Sequence, residues 1–294
     1  MATPSSLTAL ADLAGALLPL RARDLQTQID ERLAKIPNQI NRYGYDAYGM
    51  SPRWIRRALL PAALLYRHYF RVETFGIERL PRGRVLVISN HAGQLPFDGG
   101  MLATALLLEA SPPRIARSMG EFWIPRLPWI SVAAARAGAL VGTPRNCRHM
   151  LENDECVVAF PEGVRGMNKV FSQRYQLQRF GTGFMRLALE SGAPIVPVAI
   201  VGSEEQQPGI ANLAGLGRSL GMPPVPITLT FPWLGPLGLL PLPVKYRIHF
   251  GEPMFFDGDP SDEDATIESK VEEVKDQISA MLERGRSERK GVFR

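Results

Sequence analysis

The segment VLVISNHAGQLPFDGG, residues 85–100, places His91 directly after a run of apolar and β-branched residues, with Asp98 seven positions further on. An imidazole oriented by a carboxylate is a base matched to neutral pH, so this pair can take a proton from a nucleophile. A second polar group follows the apolar run CVVAF at 156–160, where Pro161, Glu162, Gly163 and Arg165 stand in PEGVRG. A guanidinium is a planar fork that grips phosphate bidentately, and a neighbouring carboxylate can fix that fork or accept from a hydroxyl. Arg145, just after Thr143 and Pro144, offers a further positive contact, and Arg165, Lys169, Arg174 and Arg179 form a basic run. Each feature alone also has a structural reading: a histidine after a strand, a Pro-Gly turn, a solvated basic face. It is their conjunction that points to a site.

The surrounding pattern says what must position these residues. From about residue 73, short β-rich runs alternate with helical ones: RVLVIS, GGMLATALLLEA, GALVG, TPRNCRHMLEN, CVVAF, GFMRLALESG and PIVPVAIV. Such alternation predicts an α/β fold, a mixed sheet flanked by helices. Both polar clusters then fall at the carboxyl ends of buried strands, where sites form in α/β sheets. Thr143 followed by Pro144 predicts a helix start, and a late strand in YRIHFGEP precedes a long charged helix from about 260 to 286, expected to pack on the outside. Residues 1–72 read as a helical, membrane-proximal region in which Ser51-Pro52 opens a basic helix. Residues 73–294 read as the α/β domain with its C-terminal helix.

Four blocks in order, NHAGQLPFD, GALVGTPR, FPEGVRG and PIVPVA, resemble the lysophosphatidate and glycerol-phosphate acyltransferase family. The resemblance spans residues 85–200, and the α/β pattern extends it to about 75–255. It implies that His91 deprotonates an acceptor hydroxyl that attacks an acyl thioester. It further implies that Asp98 orients His91, and that Glu162, Gly163 and Arg165, with Arg145 as an added contact, bind the acceptor's phosphate. The implied donor is acyl-CoA or acyl-carrier protein as co-substrate, with no resident cofactor. Two departures stand out. The family places four residues between His and Asp where this chain has six, so the loop must bulge, with Gly93 and Pro96 available for a turn and Glu121 as the competing carboxylate. Val164 and Gly166 replace hydroxyl residues of the form FPEGTRS, which leaves open a neutral acceptor of the diacylglycerol, sterol or wax-alcohol type.

Composition narrows partners. The 294 residues carry 34 Lys and Arg against 29 acidic residues, a net charge of +5. That excess suits phosphate ligands or an anionic membrane, while the absence of an interleaved aromatic platform argues against nucleic acid. Cys147 and Cys156 form no disulfide framework and no metal spacing with the four histidines, so a reduced compartment and no metal are expected. No G-x-S-x-G elbow suggests a hydrolase and no G-x-x-x-x-G-K-[ST] suggests a nucleotide site. The N-terminal stretch at 1–24 reads as an amphipathic helix rather than a leader, and ALLPAALLY at 58–66 is too short to span a bilayer. The uncharged stretch 219–244 contains seven prolines and cannot span as a helix. Its Trp233, Leu234 and Leu237 are expected to dip into a lipid interface or wall an acyl chain. The combined expectation is a peripheral membrane O-acyltransferase on the cytoplasmic side, acting on a lysophospholipid or a lipid alcohol. The competing class is a non-catalytic lipid-binding protein on the same fold.

Overall fold

The computed structural model describes residues 22–37, 39–213, 215, 217 and 224–294. The N-terminal amphipathic helix expected at 1–24 therefore lies almost wholly outside the described residues, as do residues 219–223 of the proline-rich stretch. Seven strands form one mixed sheet: β1 (Glu73–Phe75), β2 (Val85–Ser89), β3 (Ala116–Gly120), β4 (Leu140–Val141), β5 (Cys156–Ala159), β6 (Ile195–Val201) and β9 (Arg247–Phe250), in the spatial order β1-β9-β6-β2-β5-β3-β4. Strand β9 pairs antiparallel with β6 and parallel with β1, so these two run against the other five. A separate antiparallel pair, β7 (Gly209–Leu213) and β8 (Val225–Thr228), lies outside this sheet.

The central strand β2 pairs in parallel with both β5 and β6, and all five of its residues are buried. A strand covered on both faces needs apolar residues at every position, which is why VLVI shows no polar alternation. Its side chains still divide by parity. Leu86 and Ile88 join a core with helices α5 (Pro144–Glu152), α7 (Gly183–Ser191) and α8 (Asp264–Glu288). Val85 and Val87 face α3 (Phe97–Leu108) and the aromatic rings of Tyr66, Phe70 and Tyr246. Charged α8 covers its sheet face with Ile267, Val271, Val274 and Ile278, a spacing of three and four that lines one side of a helix. It is thus a layer of the core, not an addition to its exterior. A third cluster packs α1 (residues 22–34) and α2 (Pro52–Leu64) against Leu107 and Leu108 of α3 and Ile115.

One contact of α8 depends on protonation. The His249 ring stacks on Phe75 at 4.7 Å, and its Nε2 faces Gly285, where a Cβ would lie 2.7 Å away. Burial pushes the His249 pKa below its usual 6.5; Glu288 opposes that shift, and Arg247 and Arg284 add to it. The folded state therefore prefers the neutral ring, while the unfolded chain binds the proton more readily below about pH 6.5. Stability from this group is present above that pH and lost as pH falls through it. A thermal melt at about pH 5.5 should give a lower Tm than at about pH 7.5, and His249→Gln should shrink the difference. An equal pH dependence in the variant would remove His249 as the cause.

Candidate active site

Strand β2 ends at Ser89, and the next residue locks the geometry. The buried Asn90 amide donates to the Ile200 carbonyl at 3.1 Å and accepts from the Ile200 N–H at 2.8 Å, so its side chain pairs with the main chain of β6. His91 follows, with Nδ1 2.7 Å from Oδ2 of Asp98. The chain between them turns at Gly93, whose φ of +77° favours glycine, and Pro96 precedes the first turn of α3. Asp98 stands in that first turn, where the helix dipole favours an anion. It is fully buried, and it also accepts from the N–H groups of Ala92 (2.8 Å) and Gly99 (2.7 Å). With Asp98 on Nδ1, that nitrogen carries the proton and Nε2 keeps its lone pair. The ring stacks on Phe160 at 4.4 Å, which fixes its plane. Two extra residues between His and Asp are absorbed by the Gly93 turn, and Glu121 does not compete for the imidazole.

The second cluster lies against the first, though not as expected. Glu162 was expected to meet the substrate, but it is only 1% exposed. Its Oε1 accepts from the main-chain N–H of His91 (2.9 Å) and its Oε2 from that of Gln178 (2.8 Å). Both of its oxygens are thus engaged by main-chain N–H groups, and among the described residues it makes no pair with Arg165. Lys169, expected in the basic run, is also buried, 3.5 Å from Glu162 and 2.8 Å from Glu204. Burial raises the Glu204 pKa and the Lys169 ammonium opposes that rise. Of the remaining run, Arg179 pairs with Glu268 and Arg174 lies over the Phe171 ring. Arg165 is exposed and makes a single hydrogen bond, 3.2 Å to the Arg179 carbonyl, so its guanidinium retains donors for a ligand. Gly163, at φ +56°, faces the Glu121 carboxylate, 2.6 Å from where its Cβ would be. At Gly166 a Cβ would lie 2.7 Å from the His91 carbonyl and 2.8 Å from the Glu162 side chain. The lost hydroxyl at 166 thus follows from close packing of the two motifs.

An apolar cavity of about 430 Å³ is lined by Tyr48, Glu121, Ile124, Ala135, Leu140 and Val141 among others, and Glu121 is the lining residue that also faces Gly163. Arg145 is exposed on the first turn of α5, next to Asn146 of the cavity wall. Trp233, Leu234 and Leu237 do not line this cavity; they stand exposed on a separate loop, Trp233 by 72%. Phe122, Trp129 and Ile130, in the segment after β3, are also exposed. Among the described residues no helix is long and apolar enough to cross a membrane, and none form a cluster suited to a metal ion.

Sequence reasoning passed over the segment 203–207. Ser203, Glu204, Glu205, Gln206 and Gln207 are all buried beneath the loop that carries His91. The signal was available: five consecutive polar residues, separated by Gly202 alone from the end of the strand IVPVAIV.

Residues 71–201 match the family model described as Acyltransferase. A protein of Mycobacterium tuberculosis is 40% identical over 258 residues, covering 85% of this chain and 72% of that one. A chicken protein described as a DGAT1/2-independent enzyme synthesizing storage lipids is 25% identical over 207 residues, 68% of this chain and 57% of its own. The fold is similar to that of the 1-acyl-sn-glycerophosphate acyltransferase PlsC of Thermotoga maritima, with a TM-score of 0.52 at 17% identity, over 81% of this chain and 85% of that one. The chain belongs to the acyltransferase family.

The packing at residue 166 yields a direct expectation. Gly166→Ser, which recreates the family's more usual residue, should strain the His91 carbonyl and cost about 1–3 kcal/mol, seen as a lower Tm with reduced turnover. An unchanged Tm and unchanged rate would contradict this reason for the glycine.

Proposed function

We propose that this acyltransferase moves a fatty acyl group from acyl-CoA or acyl-carrier protein to the hydroxyl of a lysophospholipid such as lysophosphatidate. The observation that carries the reading is the 2.7 Å contact between His91 Nδ1 and Asp98, which leaves Nε2 as the base. In the reaction, the acceptor hydroxyl oxygen attacks the thioester carbonyl while Nε2 takes its proton. Asp98 stabilises the imidazolium so formed. The tetrahedral intermediate then collapses, the C–S bond breaks, and the imidazolium returns its proton to the departing thiolate. Arg165 grips the acceptor phosphate, with Arg145 as a second positive contact and Gly163 allowing close approach. The cavity of about 430 Å³ is of a size to receive an apolar tail. No resident cofactor enters this scheme.

Substrates of this class sit in a bilayer, and the exposed Trp233, Leu234 and Leu237 support a peripheral attachment to it. Cys147 and Cys156 are both free, in keeping with the cytoplasmic side. A second reading, a neutral acceptor such as diacylglycerol, has specific support in Val164 and Gly166, which carry no hydroxyl for a phosphate, and in the chicken relative's description.

A thiol-release assay with lysophosphatidate and diacylglycerol tests both readings. Wild-type protein should release thiol, whereas His91→Ala should be inactive with unchanged circular dichroism; release at the wild-type rate by that variant would end the general-base assignment. Arg165→Lys keeps the charge but loses the fork. For a phosphate acceptor it should lower acceptor kcat/KM by roughly tenfold to a hundredfold, with donor KM nearly constant. Unchanged lysophosphatidate kinetics in an otherwise active variant would favour the neutral acceptor.

A further inference from the structure

The loop from His91 to Asp98 is two residues longer than the family's spacing, and a loop lengthened beside a reacting centre must be held from outside. Its midpoint is held by two glutamines of the buried segment after β6. The Leu95 N–H donates to Oε1 of Gln207 at 3.2 Å, and the Leu95 carbonyl accepts from Nε2 of Gln206 at 3.2 Å. Both polar groups of one loop residue are thus satisfied by side chains more than a hundred positions away in sequence. The Gln206 amide also occupies the space where Gly93 would carry a side chain, and the Ser203 carbonyl lies 2.6 Å from that point.

These glutamines are themselves anchored. Tyr246 donates its hydroxyl to Oε1 of Gln206, which orients the amide so that its N–H groups face the loop. Gln207 donates from Nε2 to the Leu239 carbonyl at 2.5 Å, and the Gln206 carbonyl accepts from the Leu242 N–H at 2.7 Å. A buried amide that is fully paired rigidifies whatever it bonds. The bonds meet at Leu95, three residues before the carboxylate that orients the base.

We infer that Gln206 and Gln207 are positioning residues for acyl transfer: they hold the long His91-to-Asp98 loop so that Asp98 reaches the imidazole. This rests on the proposed His91 chemistry. Both bonds act on Leu95, two residues before α3 begins at Phe97.

Two substitutions at one position separate positioning from folding. Gln207→Met keeps the shape and removes both hydrogen bonds. Gln207→Glu keeps an acceptor for the Leu95 N–H but buries a charge against the Leu239 carbonyl, so it should be the less stable of the two. Positioning predicts the opposite order in rate. Gln207→Met should lose about tenfold in kcat with donor KM nearly constant, and Gln207→Glu should keep kcat within about threefold of wild type despite its lower Tm. If neither variant folds, Gln206→Met, which removes the side-chain donor to the Leu95 carbonyl and leaves the Tyr246 hydroxyl without its acceptor, carries the test with the same expected fall in kcat. Activity that follows Tm across the variants, or a wild-type kcat in a folded Gln207→Met or Gln206→Met, would overturn the inference. His91→Ala assayed alongside keeps the two readings apart. An active His91→Ala defeats the general-base reading on which this one rests. An inactive His91→Ala with a fully active Gln207→Met defeats the positioning role alone.

Discussion

The contact on which the site depends is the hydrogen bond between His91 and Asp98. Its partners belong to different elements: the histidine leaves the end of β2, and the aspartate opens α3. For the two to meet at 2.7 Å, the chain must reverse within six residues, and the helix must start at a fixed height above the sheet. Asn90 fixes the strand end by pairing with the main chain of β6. Glu162 fixes the His91 backbone from the neighbouring strand β5. The carboxylate itself is held by the N–H groups of Ala92 and Gly99. An ionised carboxyl buried without such donors would be driven to its neutral form, and it would then lose most of its grip on an imidazolium.

The arrangement concentrates charge in the interior. Glu162, Lys169 and Glu204 form a buried group of two carboxylates around one ammonium. A buried ion group is weak evidence of stability, because removing charges from water costs about what their attraction returns. Its value here is geometric, since it joins the strand-end loops of β5 and β6 beneath the histidine. Arg165, by contrast, is exposed and bonds a backbone carbonyl rather than an acid. Burial thus separates two charged residues that look alike in the sequence PEGVRG: the glutamate is enclosed and the arginine faces outward.

Much of this was legible in the sequence, for physical reasons. Strands buried on both faces appear as unbroken apolar runs, so VLVIS, CVVA and IVPVAIV mark the sheet centre directly. Thr143 does cap α5, its hydroxyl accepting from the Asn146 N–H. Strand β3, between β5 and β4, was harder: ARSMG is not a continuous apolar run, and its pairing with β5 comes from tertiary contact rather than local pattern. The side-chain partners of Glu162 and Lys169 were not legible, because a charged residue in a loop reads as solvated until the packing around it is known. The glutamines at 206 and 207 escaped notice for the same reason.

Asp98, reaching across six intervening residues, is proposed to orient His91 for catalysis. Asp98→Asn tests it most directly, because the amide fits the same space but cannot stabilise an imidazolium. Turnover of purified Asp98→Asn, compared with wild type at saturating donor and acceptor, should fall by orders of magnitude while acceptor affinity stays nearly constant. A loss smaller than about tenfold in a folded protein would take the orienting role from Asp98 and assign it to another group.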